Sequence, residues 1–326
     1  MNFQHVIESL NIVLGLISNV MLIYLCVRFS KKNLGSYKYL LIIFASYDLY
    51  LTVLHAIVDP KIFNFDRLFT MYSASFPTLP WPTIIYVSCF TVPFALTNVN
   101  FLHRYWAVKK PINLTLFARP SFAFLLAMYP FAQGATWTTL ALCADNDDSH
   151  YVEQRYFETY NLTVSGFKVM HHWKDGQVNV RASLILLGAV IVMCIQFAIA
   201  IFLATQTIAQ IRKAKTFTSN FRALQTKILQ ALFAQASVPV FLVYTPFGCV
   251  ILFPFFGIPD VFHMADLCMT ITSCFPAFDA IVVILLIKDY RDGLLSLFCR
   301  RQESSWMGAT TVWHSHIANT VSMRLD

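Results

Sequence analysis

Long apolar runs, alternate ones followed by short clusters of Lys and Arg, set the rhythm of the chain. Crossing a ~30 Å hydrocarbon core takes roughly 20 apolar residues. Runs of that length predict helical spans near residues 6–27, 38–58, 83–105, 119–142, 183–208, 228–252 and 260–287. Pro93, Pro130, Pro239, Pro246 and Pro276 fall inside these spans, where a membrane bundle tolerates kinks that water-soluble helices rarely carry. The pattern predicts an all-α membrane protein: a seven-transmembrane-helix bundle over 1–301 and a cytoplasmic tail over 302–326, expected to be disordered.

Composition strengthens this picture. Hydrophobic residues make up 57% of the chain, charged residues only 13%, and the mean hydropathy is +0.58. Soluble domains sit nearer half apolar and a quarter charged. The opening "MNFQHVIESLNIVLG" has no cationic stretch and no small-residue cleavage site before its apolar run, so the first helix is expected to stay in the protein. Walker A, GxSxG, HExxH and paired CxxC motifs do not occur, so no enzyme and no cofactor are expected.

The cations orient the bundle. Eighteen of the 24 Lys and Arg residues fall in the first, third and fifth loops or after the last span, among them Arg28, Lys38, Arg104, Lys109, Arg212, Lys213, Lys215, Lys288 and Arg291. The positive-inside rule makes that side cytoplasmic and places the N-terminus outside. Of two Asn-x-Ser/Thr sequons, only the one at Asn161 then faces the side where glycan is added; the one at Asn113 lies in a basic loop.

The third span ends "NFLHRYWAV", so an arginine, Arg104, closes a long apolar segment instead of interrupting it. One reading is a positive-inside anchor whose guanidinium snorkels to the interface. The other is an intracellular switch, favoured by the neighbouring Tyr105 and by Asn98 and Asn100 one to two turns back. A seven-span chain with this ending resembles the nematode serpentine chemoreceptors of the str class, with the srj and srd classes as near relatives. His103 stands where many members have Tyr.

Three further blocks carry the same resemblance: "LGSYKYLLIIFASYDLY" at 34–50, "LQALFAQASVPVFLVYTPFG" at 229–248 and "CFPAFDAIVVILLIKDYRDGL" at 274–294. The family's Pro after the seventh-helix Asp is replaced here by Ala280. More distantly the chain is similar to rhodopsin-like receptors, but no acid precedes Arg104, so their acid lock does not carry over. The resemblance implies a G protein-coupled chemosensory receptor of olfactory type in the plasma membrane of a sensory neuron or its cilium. Its expected partners are an odorant or other environmental chemical, a heterotrimeric G protein and membrane lipid; no nucleic acid is expected. Coupling residues expected on the cytoplasmic face are Arg104, Tyr105, Lys213, Lys215 and Arg291.

Helical rise puts five polar residues at one depth. Counted from the nearest cytoplasmic cation at ~1.5 Å per residue, Asn19, Asp48 and Asp279 lie about 14–15 Å in, Gln235 about 12 Å and Asn98 about 9 Å. Two carboxylates with no cation at that depth imply a bound proton, a sodium ion or trapped water. The layer reads either as packing that sets helix register or as a bistable element.

In the outer half, scattered polar residues among aromatic walls suit a small, mostly apolar ligand. Candidates are Thr91, Gln196, Tyr244, His263 and Asp266; helix-packing filler is the more ordinary reading of any one of them except Asp266, which is charged and would call for a cation or strong donor. Cys89 and Cys143 are a candidate disulfide, with free thiols as the alternative. No metal site is expected from the loop histidines. The basic "QIRKAKTFTSNFRALQTK" reads as a partner-docking surface or an anchor to anionic lipid. Cys299, beside two arginines, is a candidate lipidation site. Rival readings are a ligand-gated ion channel, which contradicts the cation distribution, and an ion-coupled transporter using Asp48 and Asp279.

Overall fold

A computed structural model describes residues 3–30, 37–65, 67–144, 148–174, 176–213, 219–258 and 264–297. His263, Lys215, Cys299 and the tail from 302 lie outside the described residues. The seven expected spans are present as helices. The first is α1 (Phe3–Phe29) and the second α2 (Tyr37–Val58). The third is split at Thr91 into α3 (Trp81–Phe90) and α4 (Val92–Lys109), because Pro93 in the new first turn brings no N–H to continue the ladder. A 3-10 segment, Pro111–Ala118, leads into the fourth span, α5 (Pro120–Cys143), with an 85° bend between them.

Beyond α6 (Ser149–Tyr160) the fifth span is α7 (Val180–Lys213). The sixth begins as α8 (Ser219–Pro239) and ends as α9 (Thr245–Phe255), with a π-helical stretch, Val240–Tyr244, between them. Pro239 and Pro246 flank that stretch, so two missing N–H donors coincide with the wider turn. The seventh is α10 (Met264–Leu286), and a last helix, α11, covers 288–297. Among the described residues six helices are long and apolar enough to cross a membrane, and the bent pair supplies the seventh. The chain is a bundle of seven transmembrane helices.

Two packed cores hold the cytoplasmic half. Leu22, Leu25, Tyr37, Leu41, Val283, Ile284 and Tyr290 join α1, α2, α10 and α11. Phe101, Val108, Leu203, Ala204, Leu229 and Leu232 join α4, α7 and α8. Gly15 lets α1 approach closely: a Cβ there would stand 3.0 Å from the Thr52 hydroxyl oxygen.

The all-α expectation assigns no strand to the outer loops, yet they build a roof. Strand β1 (Pro60–Ile62) pairs with β2 (Leu68–Ser73), and β2 with β3 (Lys168–His171), all antiparallel. Every residue of β2 is buried because both of its faces are covered. Leu68 and Tyr72 point up into an aromatic cluster with Tyr156 of α6 and Phe167, while Phe69 and Met71 point down to the bundle. A hairpin of β4 (Trp173–Lys174) and β5 (Gln177–Val178) leads into α7. The strands were missed because strand runs of three to six residues inside polar, turn-rich segments lack the sustained alternation that marks a strand.

Ion pairs and hydrogen bonds fasten the roof to the helices. Lys61 Nζ lies 2.8 Å from Glu8 Oε2 of α1 and 3.0 Å from Asp59 Oδ1. Asn64 donates to the Val250 carbonyl and Trp173 Nε1 to that of Phe255, each at 2.8 Å. Gly166 is required at its crossing, since a Cβ would come within 2.8 Å of the Leu79 backbone.

Candidate functional site

Beneath the roof lies a cavity of about 350 Å³, within the ordinary range of small-molecule sites. Tyr86, Phe90 and Thr91 wall it from the third span, Trp137 from α5, Met193 and Phe197 from α7, and Tyr244, Phe247 and Ile251 from the sixth span. Phe69, Met71 and Met170 close it from above. Among the described residues no Asp or Glu lines it; Lys168 of β3 does, yet its surface is almost wholly apolar.

Two of the expected ligand contacts, Thr91 and Tyr244, do line this cavity. Asp266 does not. It stands on the exposed first turn of α10, where its backbone carbonyl accepts a hydrogen bond from Gln4 at 3.1 Å. The sequence shows that Asp266 is near the outer end of a span but not which way that turn faces. Gln196 is also absent from the cavity wall.

Gln196 belongs instead to a buried amide network. Asn98 Nδ2 donates to Gln196 Oε1 at 2.5 Å and to the Tyr129 hydroxyl at 2.9 Å, and Gln196 Nε2 donates to Gln133 Oε1 at 3.0 Å. Asn98 therefore leaves the predicted polar layer. Helical rise supplies its height correctly, but its side of the helix faces α5 and α7, away from the two carboxyls.

The other four members of the layer do converge. Asp48 and Asp279 face each other where α2 meets α10, at 0% and 1% exposure. Gln235 Nε2 donates to Asp279 Oδ2 at 2.7 Å, and Asn19 Nδ2 donates to the Pro276 carbonyl at 2.8 Å. Both Asp48 oxygens, Asp279 Oδ1, Gln235 Oε1 and Asn19 Oδ1 are buried without a protein partner. The unpaired oxygens of the Asp48–Asp279 pair suit a proton, a cation or water between them, since unpaired acceptors buried in hydrocarbon are costly.

Arg104 does not reach the protein surface. It is 4% exposed, and its guanidinium carbon lies 3.5 Å from the ring centre of Tyr37, the first residue of α2. Among the described residues no carboxylate pairs with it. Its neighbour Tyr105 points elsewhere and accepts a hydrogen bond from Lys109. The aromatic partner is thus supplied by another helix, which adjacency in sequence could not show. Lys213 and Arg291 are exposed on the cytoplasmic face.

Cys89 and Cys143 are separate thiols. The Cys89 sulfur lies 3.4 Å from the Tyr50 hydroxyl of α2, while Cys143, exposed at the end of α5, uses its carbonyl to accept from Arg181. Asn161 ends α6 in a left-handed conformation, φ 54°, and is exposed. His171 pairs with Asp148 at 2.9 Å. Its neighbour His172 is fully buried beside the Phe255 ring, and burial pushes its imidazole down to about 4. Among the described residues no group of three potential metal ligands comes together.

Residues 4–295 match the family described as "Serpentine type 7TM GPCR chemoreceptor Str". The chain is similar to "G-protein coupled receptor str-33" of Caenorhabditis elegans, 25% identical with 87% of each chain covered. It is also similar to "Serpentine receptor class r-10" of the same organism, 25% identical over 84% of each, and to that of Caenorhabditis briggsae, 24% over 88%. With the match spanning nearly the whole seven-helix bundle, the chain belongs to the Str family of nematode serpentine seven-transmembrane chemoreceptors of the G protein-coupled class.

Proposed function

We propose that this receptor binds a small, neutral, mostly apolar environmental chemical in the roofed cavity and passes the event to a heterotrimeric G protein. The cavity carries the reading: it is large enough for a small molecule, almost wholly apolar, and walled by the helix that also reaches the polar layer. Tyr244 lines the cavity and ends the π-helical stretch, and Gln235 lies about 14 Å further in along the sixth span at ~1.5 Å per residue. Gln235 holds Asp279, so a ligand pressing on Tyr244 and Phe247 biases the contact between the sixth and seventh spans. A packed interface of this kind shifts between discrete arrangements, and a ligand moves the equilibrium only by its differential affinity for them.

At the cytoplasmic end the Arg104–Tyr37 contact is the second element to rearrange, with Lys213, Lys215 and Arg291 forming the basic surface offered to the G protein. Tyr105 borders it. Asn161 carries glycan and Cys299 a lipid in this reading, and the receptor works at the plasma membrane of a sensory neuron or its cilium. The test is a library of neutral volatile chemicals applied to cells expressing the receptor with a G-protein reporter. A response lost on filling the cavity supports the reading. Ligand responses that survive a filled cavity sink it.

A further inference from the structure

We propose that the cavity opens sideways into the bilayer between α7 and α9, and that its ligand is an uncharged lipophilic molecule arriving through the membrane, not from the water above the roof. That the occupant is a signalling ligand rests on the proposed receptor function; the opening itself does not.

Leu186, Val190, Met193, Cys194 and Phe197 all line the cavity. Their spacing of i, i+4, i+7, i+8 and i+11 makes them one stripe along α7. The stripe does not stay inside. Val190 is 41% exposed and Cys194 is exposed, so the cavity wall continues onto the outer surface of the helix. At ~1.5 Å per residue the stripe runs from about 9 to 26 Å below the start of α7, at the depth of lipid chains.

The direction of the stripe follows from Gly188. Two residues from both Leu186 and Val190, it points to the opposite side of the helix. There it packs on α5, where a Cβ would stand 3.4 Å from Leu140 Cδ2. The exposed edge of the stripe, Val190 and Cys194, therefore lies on the side away from α5 and toward α9, whose Phe247, Gly248, Ile251 and Leu252 line the same cavity. A Cβ on Gly248 would meet no atom within 4 Å, so α7 does not fill the space on that side.

The water side is closed by contrast. Phe69 and Met71 project from a strand whose six residues are all buried, and which is hydrogen-bonded on both edges. Lys61 to Glu8, Asn64 to Val250 and Trp173 to Phe255 tie this roof to the first and sixth spans. Opening it breaks those contacts together, whereas opening the side parts only apolar side chains of α7 and α9. The gap also selects its cargo, since a charged molecule at bilayer depth costs several kcal/mol and an apolar one accumulates there.

The full-length receptor in phospholipid vesicles is photolabelled with a small apolar diazirine and the labelled residues mapped by mass spectrometry. We expect label on cavity residues Trp137 and Met71 as well as on lipid-facing Ile191 and Ile195, with a membrane-excluded sulfonated diazirine labelling Trp137 and Met71 at least about tenfold less. Val190→Trp, which narrows the gap, is expected to cut the cavity label several-fold and leave Ile191 and Ile195 unchanged. Equal cavity labelling by the sulfonated probe would overturn the proposal, as would label confined to Ile191 and Ile195, or a cavity label untouched by Val190→Trp. Cavity label as strong from a diazirine fixed on a phospholipid chain would make the occupant bilayer lipid and overturn the ligand route. If Val190→Trp does not fold, the probes on the unmodified receptor still decide. No arm reads signalling, so failure here is separate from failure of the receptor reading.

Discussion

The guanidinium of Arg104, at the inner end of the third span, lies 3.5 Å from the ring centre of Tyr37 at the start of the second. With no carboxylate beside it among the described residues, the aromatic face is its main electrostatic partner, and in a desolvated site such a contact contributes about 2 kcal/mol. A receptor without the acid of an Asp-Arg-Tyr triplet thus holds its arginine by a ring from a different helix.

Replacing that ring tests whether the contact restrains signalling. Tyr37→Leu is expected to raise ligand-independent G-protein activation by about tenfold, since losing 1–2 kcal/mol moves a two-state equilibrium by that order. Tyr37→Phe keeps the ring face and is expected to change it by less than about twofold. Basal reporter output at matched surface expression decides; equal output from both variants leaves Arg104 as a packing residue.

The carboxyl pair makes a different prediction. Asp48→Asn and Asp279→Asn keep the shape but remove charge, so both are expected to reach the cell surface and to shift the ligand concentration for half-maximal response by about tenfold or more, the size of typical coupling energies. Gln235→Leu, which breaks the bond to Asp279, should move it in step with Asp279→Asn. Dose–response curves that match the unmodified receptor would reduce the layer to helix register alone.

Gly248 offers the cleanest probe of the cavity. A larger side chain there enters open space on a helix and also replaces the glycine, which is unfavourable in a helix interior by up to ~1 kcal/mol. Gly248→Phe is therefore expected to fold and traffic at least as well as the unmodified receptor while lowering the response to a cavity ligand by about tenfold or more. Thermal melting and surface labelling, read beside the ligand response, separate the two effects.

The roof should loosen in acid. The His172 imidazole is held neutral by burial, with its pKa down at about 4 against the ordinary 6.5. Below pH 6.5 the unfolded segment takes up a proton that the folded roof refuses, so the stability present above 6.5 falls as pH drops toward about 4 and stays low beneath it. Hydrogen exchange of β2 and β3 amides is expected to rise steeply across that window, and His172→Phe to flatten the rise. His171, paired with Asp148 next door, is left in place as the internal control.

Span count, orientation and family were legible along the chain. Each depends on quantities that a linear sequence carries: the length of an apolar run against the thickness of a bilayer, the side on which cations collect, and the order of local blocks such as "NFLHRYWAV". Depth was legible too, because helical rise is constant: Asp48, Gln235 and Asp279 meet as their heights imply, and Asn19 bonds the Pro276 carbonyl one turn before Asp279.

Direction around each helix axis was not legible, and the corrections at Asn98, Gln196, Asp266 and Arg104 have that origin. In a membrane bundle both faces of a helix are apolar, so the contrast that reveals the inward face of a soluble helix is weak. Asn98 has the height of the carboxyl pair but turns to Gln196, and Arg104 ends a span yet folds inward onto Tyr37. The roof is the other case. Its strands are short and pair residues about a hundred positions apart, such as Phe69 with Met170, so only the folded bundle brings their edges together over a cavity that neither segment encodes alone.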